Sequence, residues 1–159
     1  MSLENMMVVF DLDGTLRDAT LRVNKYLIGD PATPETKREK IDWDGFFLAC
    51  DTDTPIPHAI SVLRALHDAG HTIWIWTGCS EIAREQSEEQ LMMWGIPPEI
   101  LANRLIMRKI DDRRNDDEVK PEWIKLYGKP DLVFEDRNRV VDAWRAMGVP
   151  CYHVAPGDF

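Results

Sequence analysis

The sequence predicts an α/β domain built on a mostly parallel sheet, and three observations lead there. Short apolar runs of strand length alternate with longer amphipathic segments of helical period. Several of the apolar runs end abruptly in polar residues: Asp11 and Asp13, Thr77 and Gly78, Glu135 and Asp136. The 159 residues, 44% hydrophobic, contain no internal repeat or low-complexity tract. They suit one domain over 1–159 with a sizeable core.

The elements follow in order. "MMVVF" is the first strand. Residues from 16 to about 50 lack clear periodicity and include the turn-rich "GDPATPETKREK". They read as a small insertion that leaves the sheet and ends in a short helix near "WDGFFLAC". "PIPHAISVLRALHDAG" predicts a helix, with Pro57 in its first turn, Ile60, Leu63 and Leu66 on one face, and Gly70 as its stop. "HTIWIW" is the second strand, running into "TGCS", where Ser80 is placed to cap a helix through "EIAREQSEEQLMMWG". The apolar stripe of that helix is sparse, and "REQSEEQ" reads as a solvated face.

"RLIM" predicts a third strand, and "DDRRNDDEVK" a charged loop into a short helix at "PEWIKLYG". "DLVFED" is a fourth strand ending in acids. "NRVVDAWRAMG" is an amphipathic helix with Val140, Val141 and Trp144 at core spacing, and "PCYHV" is the last strand. In open parallel sheets ligands bind beyond the carboxyl ends of strands, near the point where strand order reverses. The polar strand ends are therefore expected to converge on one site.

Asp11, Asp13 and Asp136 gathered there would repel one another unless a cation held them together. Mg²⁺ prefers oxygen ligands and takes one or two protein carboxylates, keeping other positions for water and phosphate. Asp11, at the strand tip, is placed to attack phosphorus, and Asp13 to protonate the leaving oxygen and later activate water. Gly14 allows the tight turn, and Thr15 can hold it by a hydrogen bond. Thr77 can donate its hydroxyl to a phosphate oxygen. Lys120 can neutralise charge on the transferring group. "DLDG" is not a calcium loop: Gly14 comes too early, and position 22, where a glutamate is needed, is Arg22.

With these residues in view, "FDLDGT" resembles the first motif of the haloacid dehalogenase superfamily of phosphatases. "IWIWTG", Lys120 in "DDEVK" and "VFEDR" resemble its second, third and fourth, in order and over nearly the whole chain. The resemblance implies a Rossmann-like fold with helices on both faces of a mostly parallel sheet, and the modest insertion from 16 to about 50 leaves a small or absent cap. The resemblance also implies Mg²⁺ dependence, Asp11 as nucleophile and Asp13 as acid and base. The implied metal ligands are Asp11, the Asp13 backbone carbonyl and Asp136, with Glu135 as a supporting group beside the ion.

"RRNDDEVKPEWI" and "EDRNRVVDAWRAMGVPCYHVAPGDF" are similar to the 3′-phosphatase domain of phage polynucleotide kinase/phosphatase. Arg22 falls where that family keeps an arginine for the substrate phosphate, and Asp116 matches an acid before the third-motif lysine. Cys79 stands where the family has an arginine, a departure that bears on phosphate affinity; Arg84, Arg113 or Arg114 could substitute. No GxxxxGK[ST] loop occurs, so a kinase half is not expected.

The resulting expectation is a phosphomonoesterase acting on 3′-phosphate ends of DNA or RNA, or on nucleotides. The alternatives are a phosphatase for a small metabolite or a 5′-nucleotide, and an inactive phosphate-binding module. A small cap leaves an open site, which fits a polynucleotide end better than a metabolite.

Composition limits the other classes. Lys and Arg total 19 against 28 acids, a formal charge of −9, which opposes non-specific binding to nucleic-acid backbone but not a local basic pocket. No apolar run approaches a membrane span, and no secretion signal is evident. Three scattered cysteines read as free thiols in a reducing cytoplasm, and the four histidines show no ligand spacing.

Overall fold

The computed structural model describes residues 4–28 and 41–157; the turn-rich polar segment at 29–40 lies outside them. In chain order the strands are β1 (Met7–Phe10), β2 (Arg17–Asp18), β3 (Thr54–Pro55), β4 (Thr72–Ser80), β5 (Leu105–Arg108), β6 (Leu132–Glu135) and β7 (Cys151–His153). The helices are α1 (Thr20–Val23), α2 (Trp43–Leu48), α3 (Pro57–Asp68), α4 (Arg84–Met93), α5 (Pro98–Asn103), α6 (Asp116–Tyr127) and α7 (Asn138–Ala146).

Five strands form one sheet in the order β5-β4-β1-β6-β7, with every neighbouring pair parallel. From β1 the chain moves outward through β4 to β5, then returns to the other side of β1 for β6 and β7. Strand order therefore reverses between β1 and β6, the place where such sheets open a crevice. The two strands are in register with Phe10 beside Phe134, whose rings stack at 4.4 Å. The Asp11 N–H then donates to the Phe134 carbonyl at 2.9 Å, which carries the pairing one residue past the strand end.

Strand alternation divides the core. Val8, Phe10, Ile73 and Ile75 face one side and pack with Ile60 and Leu63 of α3, Leu91 of α4 and Ile100 of α5. Val9, Trp76 and Val133 face the other and pack with Val119 and Trp123 of α6 and Val140, Val141 and Trp144 of α7. Both faces are thus covered, as parallel sheets require.

Beyond β1 the chain enters the insertion through β2 and returns through β3; Arg17 pairs with Pro55, so the excursion leaves and rejoins at one place. Along it lie α1, a π-turn at Asn24–Ile28 and α2. The backbone of Asp42 begins α2, its carboxylate accepting from the Gly45 N–H.

The structure differs from the sequence reading in several places; α5 and the β2–β3 pair have no counterpart in that reading at all. β4 runs through Ser80 rather than stopping at Trp76, with a register shift between Thr77 and Ser80 that bulges Gly78 and Cys79 out of the ladder. Ser80 caps a 3₁₀ turn at Glu81–Ala83, and α4 begins only at Arg84. The inward face of α4 is partly polar: Ser87 and Gln90 are buried and both accept from the Arg17 guanidinium, at 3.0 and 3.1 Å. Finally, α6 begins at Asp116 and carries Lys120, which the sequence placed in a loop. The Glu118 carboxylate accepts from the Asn115 N–H at 2.9 Å, half of a capping box that fixes this earlier start. Pro121 lies inside the helix rather than opening it.

Candidate active site

A pocket opens at the carboxyl end of the sheet, lined from the polar strand ends by Asp11, Asp13, Gly14, Thr77, Gly78 and Asp136, and by Asp116 at the start of α6. Two further expected residues, Lys120 and Arg22, stand behind this wall, each bonded to an acid in it. A further part of the lining is apolar and comes from the insertion: Ala19, Val23, Trp43, Phe46 and Phe47.

At the floor, Asp11 follows β1 while Glu135 ends β6 and Asp136 follows it. Carboxylate oxygens of all three lie within 4.8 Å of one another, and all three residues are buried. Lys120 reaches them from α6: its Nζ donates to Asp11 Oδ1 at 2.8 Å and to Glu135 Oε2 at 2.7 Å. The other Glu135 oxygen accepts from the Asp136 and Arg137 N–H groups, at 3.1 and 3.3 Å. Burial, reinforced by Glu135, pushes Asp11 well above the usual carboxylate range. Burial and Glu135 likewise push Asp136 up to about 7. Burial would lower Lys120, but Asp11 and Glu135 outweigh it and hold the ammonium charged.

Three acids against one lysine leave this cluster short of positive charge. Its donors are hard oxygens on the floor of a pocket, a set that fits Mg²⁺ with its remaining positions open. Gly14 makes the arrangement possible. Its φ is +84°, and a side chain there would collide with the Asp136 carboxylate.

Asp13 is not part of that trio. Arg17 Nε donates to its Oδ1 at 2.7 Å, and so does Arg22 Nη2, also at 2.7 Å. Burial alone would raise Asp13, but the two guanidiniums hold it well below the usual carboxylate range. Arg22 is itself buried, clamped by Asp53 through Nε and Nη2 and laid over the Phe46 ring at 4.7 Å. Arg17 and Asp53 were not anticipated in this network.

Across the pocket, Thr77 Oγ accepts from the Cys79 N–H at 3.0 Å, which leaves its own proton available to the pocket. Burial, helped by Asp13, pushes the Cys79 thiol up to about 12, so it stays protonated. Asp116 is held below its usual range: burial would raise it, but Arg137, Lys120 and Arg108 prevail.

Arg108 and Arg137 are two pocket residues the sequence reading passed over. Arg108 ends β5, donates from Nε to the Gly78 carbonyl at 2.7 Å, and pairs with Asp116. Arg137 Nη1 meets the same carboxylate at 3.2 Å. Both arginines line the pocket. Of the three arginines weighed to stand in where Cys79 departs from the family, Arg84 is engaged by Glu81 and Glu88 away from the pocket, while Arg113, paired with Asp44, and Arg114, paired with Asp112 and Glu122, line the outer pocket. Gly78 lets Asp116 approach, since a methyl there would collide with its carboxylate.

Residues 5–159 match the family described as the polynucleotide kinase PNKP phosphatase domain. The chain belongs to that family. It is a phosphatase domain of the haloacid dehalogenase superfamily, and its parallel sheet is the fold expected of that group.

Two solved structures of a Pnkp1/Rnl/Hen1 complex, one titled as an RNA repair complex, are 28% and 27% identical to it, with TM-scores of 0.72 and 0.73. These matches cover 98% and 99% of this chain but 44% and 49% of theirs, so the chain spans less than half of their length. A class C acid phosphatase from Bacillus anthracis shares the fold alone, with a TM-score of 0.60 at 17% identity, over 98% of this chain and 68% of that one. Among the described residues no helix is long and apolar enough to cross a membrane.

Proposed function

We propose that this phosphatase domain is a Mg²⁺-dependent phosphomonoesterase that works through phosphorylated Asp11 and removes 3′-phosphates from DNA or RNA ends or from nucleotides. The observation that carries the reading is Asp11 itself: a buried carboxylate on the pocket floor, bonded to Lys120 and clustered with Glu135 and Asp136. Family membership and the similarity to a chain of the Pnkp1/Rnl/Hen1 RNA repair complex support the polynucleotide end as substrate.

Asp11, Asp136 and the Asp13 backbone carbonyl would hold the metal. Glu135, with its oxygens committed to Lys120 and to two backbone amides, braces them. When bound, the ion offsets the charge of these acids and of the phosphoryl oxygens.

Asp11 attacks phosphorus, forming an aspartyl oxygen–phosphorus bond as the bond to the ester oxygen breaks. Asp13, having taken up a proton from solvent as the substrate binds, gives that oxygen the proton. A water then loses a proton to Asp13 and attacks the phosphorus, releasing inorganic phosphate and restoring Asp11. Arg17 and Arg22 orient Asp13 and keep it ionised in the resting protein; a phosphate dianion arriving beside it offsets their charge and makes protonation easier. We therefore assign Arg22 to positioning Asp13, and assign phosphate contact to Thr77, Gly78, Arg108 and Arg137, with Lys120 neutralising charge and Asp116 aligning the two arginines.

The test is phosphate release from a 3′-phosphorylated oligonucleotide against a 5′-phosphorylated one, with and without Mg²⁺. Release should need the metal, favour the 3′ end and vanish in Asp11→Asn. Release that survives Asp11→Asn overturns the mechanism, and equal rates on both ends overturn the substrate.

A further inference from the structure

The pocket has two unlike walls, and the mechanism uses only one. Besides the strand-end acids, the pocket is lined by Trp43, Phe46 and Phe47 of α2, a mutually packed aromatic group. Trp43 lies nearly parallel to Phe47, with centroids 6.0 Å apart and planes at 29°, and edge-on to Phe46 at 5.9 Å. Phe46 and Phe47 are buried, whereas Trp43 is half-buried on the pocket side, so it is the leaf of the group that a ligand can meet. A phosphate ester alone has no use for such a wall, because phosphoryl transfer is served by charge and positioning.

The rim of the same pocket carries Arg113 and Arg114, both substantially exposed, in a chain whose formal charge is −9. Arg113 meets Asp44 of α2 at 3.0 Å and ties the aromatic wall to the loop after β5, while Arg114 is held by Asp112 and Glu122 with its guanidinium still partly exposed. Guanidiniums at the rim, a planar apolar wall and an acid-and-arginine floor together match an anion that carries both a flat ring and further phosphates. Base–aromatic stacking tolerates any base, since each presents a π-face.

We propose that Trp43, backed by Phe47, is the seat of the nucleobase on the nucleotide that bears the scissile phosphate. This rests on the phosphatase reading above, with Trp43 setting preference for base-bearing ends regardless of base identity. Trp43 is a specificity residue and takes no part in bond breaking.

The experiment compares kcat/KM on four esters: a 3′-phosphorylated dinucleotide, the same dinucleotide with an abasic 3′-terminal residue, a nucleoside 5′-phosphate and ribose 5-phosphate. The ratio of base-bearing to base-free rates at the 3′ end should be on the order of tenfold or more, the scale of one base–aromatic stack. It should fall towards one in Trp43→Ala and persist in Trp43→Phe, whose ring can still stack. A ratio near one in the unmodified protein, or one unchanged in Trp43→Ala, overturns the seat. Preference between 3′ and 5′ positions is read separately from the same data. Its loss defeats the proposed substrate, while the base-dependent ratio tests the seat on its own. Circular dichroism of Trp43→Ala shows whether α2 still folds; if it does not, the Trp43→Phe and Trp43→Leu pair decides, with the ratio kept by the ring and lost with leucine.

Discussion

Lys120 Nζ sits 2.8 Å from Asp11 Oδ1 and 2.7 Å from Glu135 Oε2, joining residues 109 and 15 positions away in the chain through one buried ammonium. It is the sole lysine or arginine that the described residues place in ion-pair contact with Asp11 or Glu135. Breaking a buried pair by removing one partner costs about 3–5 kcal/mol. Lys120→Met should therefore lower stability to denaturant by about that much and cut phosphate release by at least about a hundredfold, the scale of losing one preorganised electrostatic group. Asp11→Asn relieves repulsion in the same cluster, so it should abolish release while leaving stability unchanged or higher. Parallel denaturation and release assays separate the two.

Metal and pH should act on one another. Asp136 is raised from 3.8 to about 7 when no cation is present. A carboxyl raised on folding stabilises the folded state fully below its unfolded value and loses that contribution as pH climbs through the folded one. The metal-stripped protein should thus lose stability between pH 4 and 7, the window spanned by this shift, and Asp136→Asn should flatten the slope. Mg²⁺ binds the ionised form, so its stabilisation should be larger at pH 8 than at pH 5. At about a hundred times its dissociation constant a ligand adds about 2.7 kcal/mol. In a domain of this size that amounts to a rise of several degrees in Tm at about 2–4 °C per kcal/mol. Thermal melts with chelator and with Mg²⁺ across this pH range check it.

Asp13→Asn should reveal its proton transfer through the leaving group. On an alkyl phosphate, whose departing oxygen needs a proton, the loss in kcat should be about 10²–10⁴, the usual weight of general acid–base catalysis. On p-nitrophenyl phosphate, whose phenolate leaves unaided, the loss should be clearly smaller. Equal losses on both would assign Asp13 to orientation alone.

Gly78→Ala tests the arginine cluster. The added methyl collides with the Asp116 carboxylate and should turn it away from Arg108 and Arg137. KM should rise and kcat/KM fall by about tenfold or more, as for one strong charge-assisted contact. Asp116→Ala should do the same, and the double variant should be no worse than Asp116→Ala, because the collision then has no target.

Much of this was legible in the chain because parallel strands buried on both faces are written as continuous apolar runs. β1, β4, β5, β6 and β7 all lie where such runs fall, and Asp11, Thr77 and Asp136 follow from the polar residues that end them. Arg108 ends an apolar run in the same way, and applying the strand-end rule to "RLIM" would have found it. The Arg17–Asp53–Arg22 network was not legible, since it pairs residues 31 and more positions apart on a segment without periodicity. Nor was the inward face of α4, where Ser87 and Gln90 stand in for apolar residues because Arg17 needs acceptors. α5 is too short to leave a helical pattern in "PEILAN". The start of α6 was misplaced because Pro121 looks like a first-turn proline.

The segment after β7 folds back so that the Gly157 carbonyl accepts from the Asn138 N–H at 2.9 Å, while His153 Nε2 bonds the Asp136 carbonyl at 2.8 Å. The last described residues thus brace the backbone on either side of Arg137, next to the carboxylate proposed to hold the metal. A handle or module joined after these residues is therefore expected to load the backbone beside Asp136, so the choice of attachment should show in phosphate release.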